Sequence, residues 1–508
     1  MLSTTSFWCL FLAVCSLAVD GRVESPVNFL AAQPSPALLK KEVEAFSATT
    51  SMNLDQGPND DKNPSWKSPE VGLDVENYPI APDGLQLEQV HVYVRHGERS
   101  PVGVRMAEPP ASIPEHWMMC KSAERFRETV SDLLNPAPGL TLPLRKNVER
   151  KDGSTASGEC LLGELTDTGR QSTLNYGLGL RKLYIERLKF MPDILKNATS
   201  VYFRSTNVPR TIESLRYVMH GLYPAEKRSS DTIPTMLIRN GKDENLMPNA
   251  SCKRLQELMI GFAKAAASTF NPKLEALDAK LSKYIGGNPI RLDGRPRASG
   301  IMDTVRAAMV HNISVPKEFH DPAVTGLLNG SQDVSAVPLT KAVPGVLTIL
   351  DKSQEVRRLS MGRLFEDLSD KMHRKVVDGP KHPLKLLVHS THDTAIAAIR
   401  ASLDVFDDKW PAFTASITFE LFSGPPKVHQ KSYLQSLLAS TEPPEHYVRM
   451  RSQNRNLALV ACAEDGKHLP GHPEFCTFAA FHAHLRKLVP ADFDRECAAT
   501  SEKKAGKR

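Results

Sequence analysis

The 508-residue chain has no P-loop, no glycine-rich dinucleotide fingerprint and no Cys-x-x-Cys pair. The commonest signatures of nucleotide binding and structural zinc are therefore missing. Long runs of one charge are missing too: 64 Lys+Arg stand against 58 Asp+Glu, a net +6 without basic blocks. That balance argues against nucleic acid as a partner. Beyond the N-terminus no apolar run approaches the roughly 20 residues that a spanning helix needs. The one tempting metal cluster, His482-Ala483-His484, sets its imidazoles two positions apart, where they do not share a helix face. We expect no metal and no other cofactor.

What is present starts with an uncharged leader, MLSTTSFWCLFLAVCSLA, whose apolar stretch Phe7 to Cys15 is followed by small residues as far as Gly21. Residues 1–21 read as a cleaved secretory signal, and the stretch is too short to span a membrane as a retained anchor. Residues 22–82 are rich in Ser, Pro, Asn and Asp with little periodicity and read as a disordered leader. Residues 501–508 form a polar tail. Without Cys9 and Cys15 there remain Cys120, Cys160, Cys252, Cys462, Cys476 and Cys497, an even set suited to an oxidising compartment, with its pairing left open. The sequons at Asn197, Asn249, Asn312 and Asn329 permit glycans. The expected location is outside the cell or in a lumen of the secretory pathway (cell wall, vacuole or Golgi), with no membrane span after signal removal.

A hydrophobic fraction of 41% is ample for a large core. Val90, Val92 and Val94 alternate as in a strand with one buried face, and the pattern stops at Arg95-His96-Gly97-Glu98-Arg99. A second run, Ser200 to Arg204, leads into a helix with apolar positions Ile212, Leu215, Met219 and Leu222, with Asn207 as its expected cap and Pro209 in its first turn. A third, Leu384 to His389, is followed by Ser-Thr-His-Asp and an Ala/Ile-rich helix. Between them, residues 226–380 carry helical patterns with Pro and Gly breaks and no obvious strand. The expected fold is α/β: a doubly wound, mostly parallel sheet flanked by helices. Its domain covers 83–500, with a core from 83–225 and 380–500 and an inserted, mainly helical domain over 226–380.

In such sheets ligands bind where strands end and helices begin. Each junction here carries charge: Arg95, His96 and Arg99 at the first, Arg204 and Arg210 at the second, His392 and Asp393 at the third. Converging guanidinium forks suit the three oxygens of a phosphoryl group. His96 is then placed to attack phosphorus, kept neutral by nearby arginines, and Asp393 is the nearest carboxyl that could protonate a leaving alcohol. Ordinary carboxyl groups titrate near pH ~4, so work in acid is expected.

Arg95-His96-Gly97-Glu98-Arg99-Ser100-Pro101 resembles the R-H-G-x-R-x-P signature of histidine acid phosphatases, and His392-Asp393 their H-D pair. Gly163 to Tyr184 resembles the family's G-x-L-T-x-x-G helix, and Tyr202 to Thr211 its R-S-T-D-x-x-R-T segment, with Asn207 in place of the usual Asp. Phe422 stands where the family often has Trp. The resemblance covers about residues 85 to 500. It implies that His96 is the nucleophile, that Arg95, Arg99, Arg210 and His392 hold phosphate, and that Asp393 donates the proton. It also implies the disulfides Cys252–Cys497 and Cys462–Cys476, which leaves Cys120 for Cys160. The expected partner is a phosphate monoester; oligomeric state stays open, a homodimer included. Phytases and a glycan phosphatase acting on phosphorylated xylose are similar within the family. The reading from another class is a secreted glycoprotein that binds phosphate esters without turnover, and the retained His96 and Asp393 speak against it.

Overall fold

A computed structural model of the chain describes residues 72–123, 125–129, 141–328, 347–407, 409–425 and 444–499. The signal segment, most of the leader, Asn329 and the polar tail lie outside the described residues. The central sheet has nine strands: β1 (Gln86–Arg95), β2 (Val201–Ser205), β3 (Met236–Ile238), β4 (Leu386–Thr391), β5 (Ser416–Ser423), β6 (His446–Ser452), β7 (Arg455–Leu457), β8 (His468–Leu469) and β9 (His472–Thr477). Their order is β8-β9-β6-β5-β1-β4-β2-β3, with β7 beside β6. From β1 outward through β4, β2 and β3 the neighbours are parallel. On its other side the sheet continues antiparallel through β5, β6, β9 and β8.

The main helices are α1 (Asp167–Leu180), α2 (Pro209–Leu222), α3 (Lys253–Leu274), α4 (Ala298–Val310), α5 (Leu347–Asp378), α6 (Asp393–Ser402) and α7 (Phe478–Leu488). The valines of β1 pack with Leu180 of α1 and with Leu215 and Val218 of α2. Tyr93 points to the opposite face, into a cluster shared with α3, α5, α6 and α7. Helices thus cover both faces, and for that reason β4 is buried along its whole length instead of alternating.

The interval 226–380 holds more than an insertion. β3 lies inside it and pairs in parallel with β2 at the sheet edge; it has three residues, two of them exposed, too short to leave a periodic signal. α5 belongs to the core layer as well, packed against the sheet cluster. The second lobe that remains is smaller. It gathers residues from Met106 to Cys160 and from Leu274 to Leu328 around α4, with Trp117, Ile301, Val305 and Phe319 at its centre.

The folded chain also starts before residue 83. Tyr78 is 5% exposed, its hydroxyl donates to Glu420 Oε1 at 2.8 Å, and Arg449, ion-paired with Glu420 at 2.8 Å, sits over its ring. Residues 72–82 are therefore fastened to β5 and β6. The structure joins Cys120 to Cys160, Cys252 to Cys497 and Cys462 to Cys476, with Cα separations of 5.2, 4.7 and 5.4 Å that suit disulfides. Among the sequons, Asn197 and Asn312 are exposed. Asn249 is buried and its Nδ2 donates to the carbonyls of Lys242 and Glu244 at 2.9 and 3.1 Å, so its nitrogen is committed and a glycan has no room there.

Candidate active site

β1 and β4 end side by side, Arg95 opposite Thr391 in the register. The next residues, His96 and His392, therefore leave the sheet together, their ring centroids 5.6 Å apart. β2 ends one strand further on and delivers Arg210 in the first turn of α2. The three junctions singled out from sequence thus meet at one edge of the sheet, where α2 and α6 present their N-termini. Asn207 does not cap α2; Val208 occupies the cap position without a side-chain bond, and Asn207 is exposed.

The loop carrying His96 is held by close backbone packing. A Cβ on Gly97 would lie 2.3 Å from the Gly169 carbonyl oxygen, and one on Gly169 would lie 2.1 Å from the Glu98 oxygen. Each glycine is required by the other's chain. Gly97 N donates to Ser214 Oγ at 3.1 Å, and Ser172 Oγ donates to Glu98 Oε2. The start of α1 and the middle of α2 therefore set the height of the His96 loop.

His96 is 1% exposed and its Nδ1 lies 2.8 Å from the Gly97 carbonyl oxygen. A carbonyl only accepts, so Nδ1 carries the hydrogen and Nε2 keeps its lone pair. Burial, then Arg210, Arg95 and Arg99, hold the imidazole well below its ordinary pKa. It stays neutral in acid. His392 is pushed down to about 3, by burial first and Arg210 next, and its Nε2 lies 3.0 Å from Thr206 Oγ1.

Arg95 donates through Nη1 to the Pro411 carbonyl at 2.8 Å and pairs through Nη2 with Asp393 Oδ2 at 2.6 Å. Its guanidinium lies over Phe413, 4.1 Å from the ring centroid. Arg99 donates through Nη2 to Asp303 Oδ1 at 2.8 Å and through Nη1 to the Ser100 carbonyl at 3.2 Å. The Nε of each arginine is buried without an acceptor. Two buried cationic donors without an acceptor cost about 1–3 kcal/mol each unless an anion fills the space.

Asp393 also accepts from Trp410 Nε1 at 3.3 Å. Burial raises its pKa, but Arg95 and then Arg99 outweigh burial and bring it down to about 2. The proton expected from ordinary carboxyl titration is therefore absent from the free site at pH 5.

Arg204 does not join the others. It pairs with Glu244, and its Nη1 donates to Asn245 Oδ1 at 2.7 Å, so it belongs to a buried network on the α5 side of the sheet. The histidines of α7 do not converge: His482 Nδ1 meets Ser369 Oγ at 2.7 Å, while His484 feels Asp404. Sequence reasoning missed Thr206, Ser214, Trp410, Phe413 and Asp303. The first two lie in or near the quoted Arg-Ser-Thr segment and were within reach; Asp303 comes from the second lobe and has no local pattern around it.

A three-layer α/β architecture gathers histidines and arginines at the ends of its parallel strands, a set of side chains suited to a phosphate ester. The family model of the histidine phosphatase superfamily (branch 2) matches residues 86–453, and the chain belongs to that superfamily. A probable acid phosphatase of Schizosaccharomyces pombe is 32% identical over 457 residues, covering 82% of this chain and 95% of the relative. Lysophosphatidic acid phosphatase type 6 of Mus musculus is 27% identical over 358 residues, covering 70% and 78%. Hafnia alvei phytase in complex with tartrate shares the fold, with a TM-score of 0.50 at 14% identity over 82% of this chain and 100% of that one. The chain is a phosphatase. Among the described residues no helix is long and apolar enough to cross a membrane.

Proposed function

We propose that the protein is an acid phosphatase that hydrolyses phosphate monoesters through a phosphohistidine on His96, outside the cell or in a lumen of the secretory pathway. The observation that carries this reading is the fixed tautomer of His96, whose hydrogen bond to Gly97 leaves Nε2 as the free, unprotonated atom. Arg95, Arg99, Arg210 and His392 hold the phosphoryl oxygens. Nε2 attacks phosphorus, the ester P–O bond breaks, and the alcohol oxygen takes a proton from Asp393. Water then gives a proton to the Asp393 carboxylate and attacks phosphorus, the P–N bond breaks, and phosphate leaves with His96 restored.

The proton on Asp393 arrives with the substrate. A monoester keeps one phosphate proton below a second pKa of about 6, and once its oxygens share Arg95 the carboxylate is the nearest base. Three disulfides support the oxidising location.

The test is release of phosphate from an aryl ester at about pH 5, without added metal, by the full protein and by His96→Ala. The expected result is activity lost by at least a thousandfold in the variant, together with an acid-labile, alkali-stable phosphoprotein trapped from the wild type. Turnover in folded His96→Ala would remove the mechanism.

A further inference from the structure

Asp303 stands on α4 in the second lobe, yet it is bonded to the strand-end loop of the core. Its Oδ1 accepts from Arg99 Nη2 at 2.8 Å and its Oδ2 from the Val102 backbone N–H at 3.2 Å. One carboxylate thus holds both the side chain of Arg99 and the loop three residues further on. The fit between helix and loop is close elsewhere too: a Cβ on Gly300, in the first turn of α4, would lie 2.7 Å from Arg105 Nε. Burial is the largest influence and opposes ionisation, but Arg99, its hydrogen bond, Val102 and Arg105 together outweigh it and hold the Asp303 carboxyl below its usual range. These contacts favour the ionised carboxylate.

Arg99 and Arg95 are therefore each neutralised before any phosphate arrives, Arg95 by Asp393 and Arg99 by Asp303. Asp393 has a chemical task that accounts for its place. Asp303 has none on the reacting atoms, and its side chain reaches the site through Arg99. Resting on the reading that Arg99 binds the phosphoryl group, we propose that Asp303 is a positioning residue that serves as the standing counter-ion of Arg99, through which the second lobe sets how tightly phosphate is held and how fast it leaves. While ester or product shares the Arg99 fork, the nearby carboxylate repels its negative charge. Affinity for the product is thereby lowered.

The experiment compares wild type, Asp303→Asn and Asp303→Glu with an aryl phosphate as substrate and inorganic phosphate as competitive inhibitor. Asp303→Asn keeps a carbonyl acceptor for Arg99 and loses the charge. Its inhibition constant for phosphate is expected to fall at least fivefold, with KM falling in parallel and kcat falling as release slows. Asp303→Glu keeps the charge, and its inhibition constant is expected to stay within about twofold of wild type. Adding Asp303→Asn to an Arg99→Gln background should change the inhibition constant little, because the coupling runs through Arg99. An unchanged or higher constant in folded Asp303→Asn overturns the proposal, as does equal tightening in Asp303→Glu. Should Asp303→Asn not fold, Asp303→Ser carries the same expectation. Wild type that phosphate does not inhibit would instead refute the phosphate-binding role of Arg99 itself, a separate failure.

Discussion

At the scale of single residues, the site separates two groups that titrate close to the working range in ordinary peptides. His96 is kept neutral by burial and three arginines, while Asp393 is kept ionised by Arg95 and Arg99 against burial. With Asp393 at about 2, the alkaline limb of kcat/KM follows the second ionisation of the ester, near pH ~6, and not a carboxyl near 4. Two esters whose second phosphate pKa differ by one unit should show limbs displaced by about the same amount; limbs that coincide would assign the proton to the enzyme instead. This residue chemistry was largely legible in the sequence, because Arg95, His96 and Arg99 sit in one short loop and His392 and Asp393 are adjacent. Arg204, one of the charges at the second junction, stays out of the cradle for a physical reason. Successive strand residues face opposite sides, and the side chain of Arg204 leaves β2 toward Glu244 and Asp367, not toward the cradle. Asp303 was illegible, since a lone carboxylate in an apolar helix acquires its meaning only when α4 is set against the loop after β1.

At the scale of elements, the interlock of the His96 loop with α1 makes a sharp contrast within one helix. Gly169→Ala would put its methyl 2.1 Å from the Glu98 carbonyl oxygen and 2.7 Å from its nitrogen, so backbone must move. A methyl at Gly179, further along the same helix, would meet only the Leu73 side chain at 3.3 Å. Gly169→Ala is expected to lose about 2 kcal/mol or more of stability and at least tenfold in kcat. Gly179→Ala is expected to stay within about 1 kcal/mol, helped by helix propensity. Denaturant midpoints and kcat check both, and equal behaviour of the two would sink the interlock. β1 and α2 could be read from their periods, and β2 and β4 only as short apolar runs leading into helices, because β4 is buried on both faces and does not alternate. β3 could not, with three half-wet residues, and neither could the docking of residues 72–82, whose partner Glu420 is created only when β5 and β6 come together.

At the scale of the whole molecule, acid chemistry and acid stability pull in opposite directions. His91, His96 and His389 are buried and held well below the ordinary value, by desolvation first, and His392 is held at about 3. His91 and His389 have no place in the reaction. His91 bonds Gln89 through Nε2 at 2.9 Å, with Nδ1 buried and unpaired, while His389 bonds the Val92 carbonyl through Nδ1 at 3.0 Å beneath Arg204 and Lys371. Such groups remain neutral when folded and take up protons when unfolded below pH ~6.5. Their folded pKa is the lower one, so the stability they contribute is complete above the unfolded value and is lost as pH falls, by about 1.4 kcal/mol per unit for each histidine. The carboxylates with lowered pKa, Asp393 and Glu420, act with the same sign but only below pH ~4. Between pH ~6.5 and ~4 the histidines dominate, over the very range where turnover is expected. Phosphate bound against Arg95 and Arg99 stabilises the folded form by mass action and offsets part of that loss. The melting temperature is therefore expected to drop steadily from pH 7 to pH 5 without phosphate and to recover in part at pH 5 when phosphate is added. A flat profile would mean that the buried histidines take up protons in place. A drop that phosphate does not relieve would mean that the cradle is not where the anion binds.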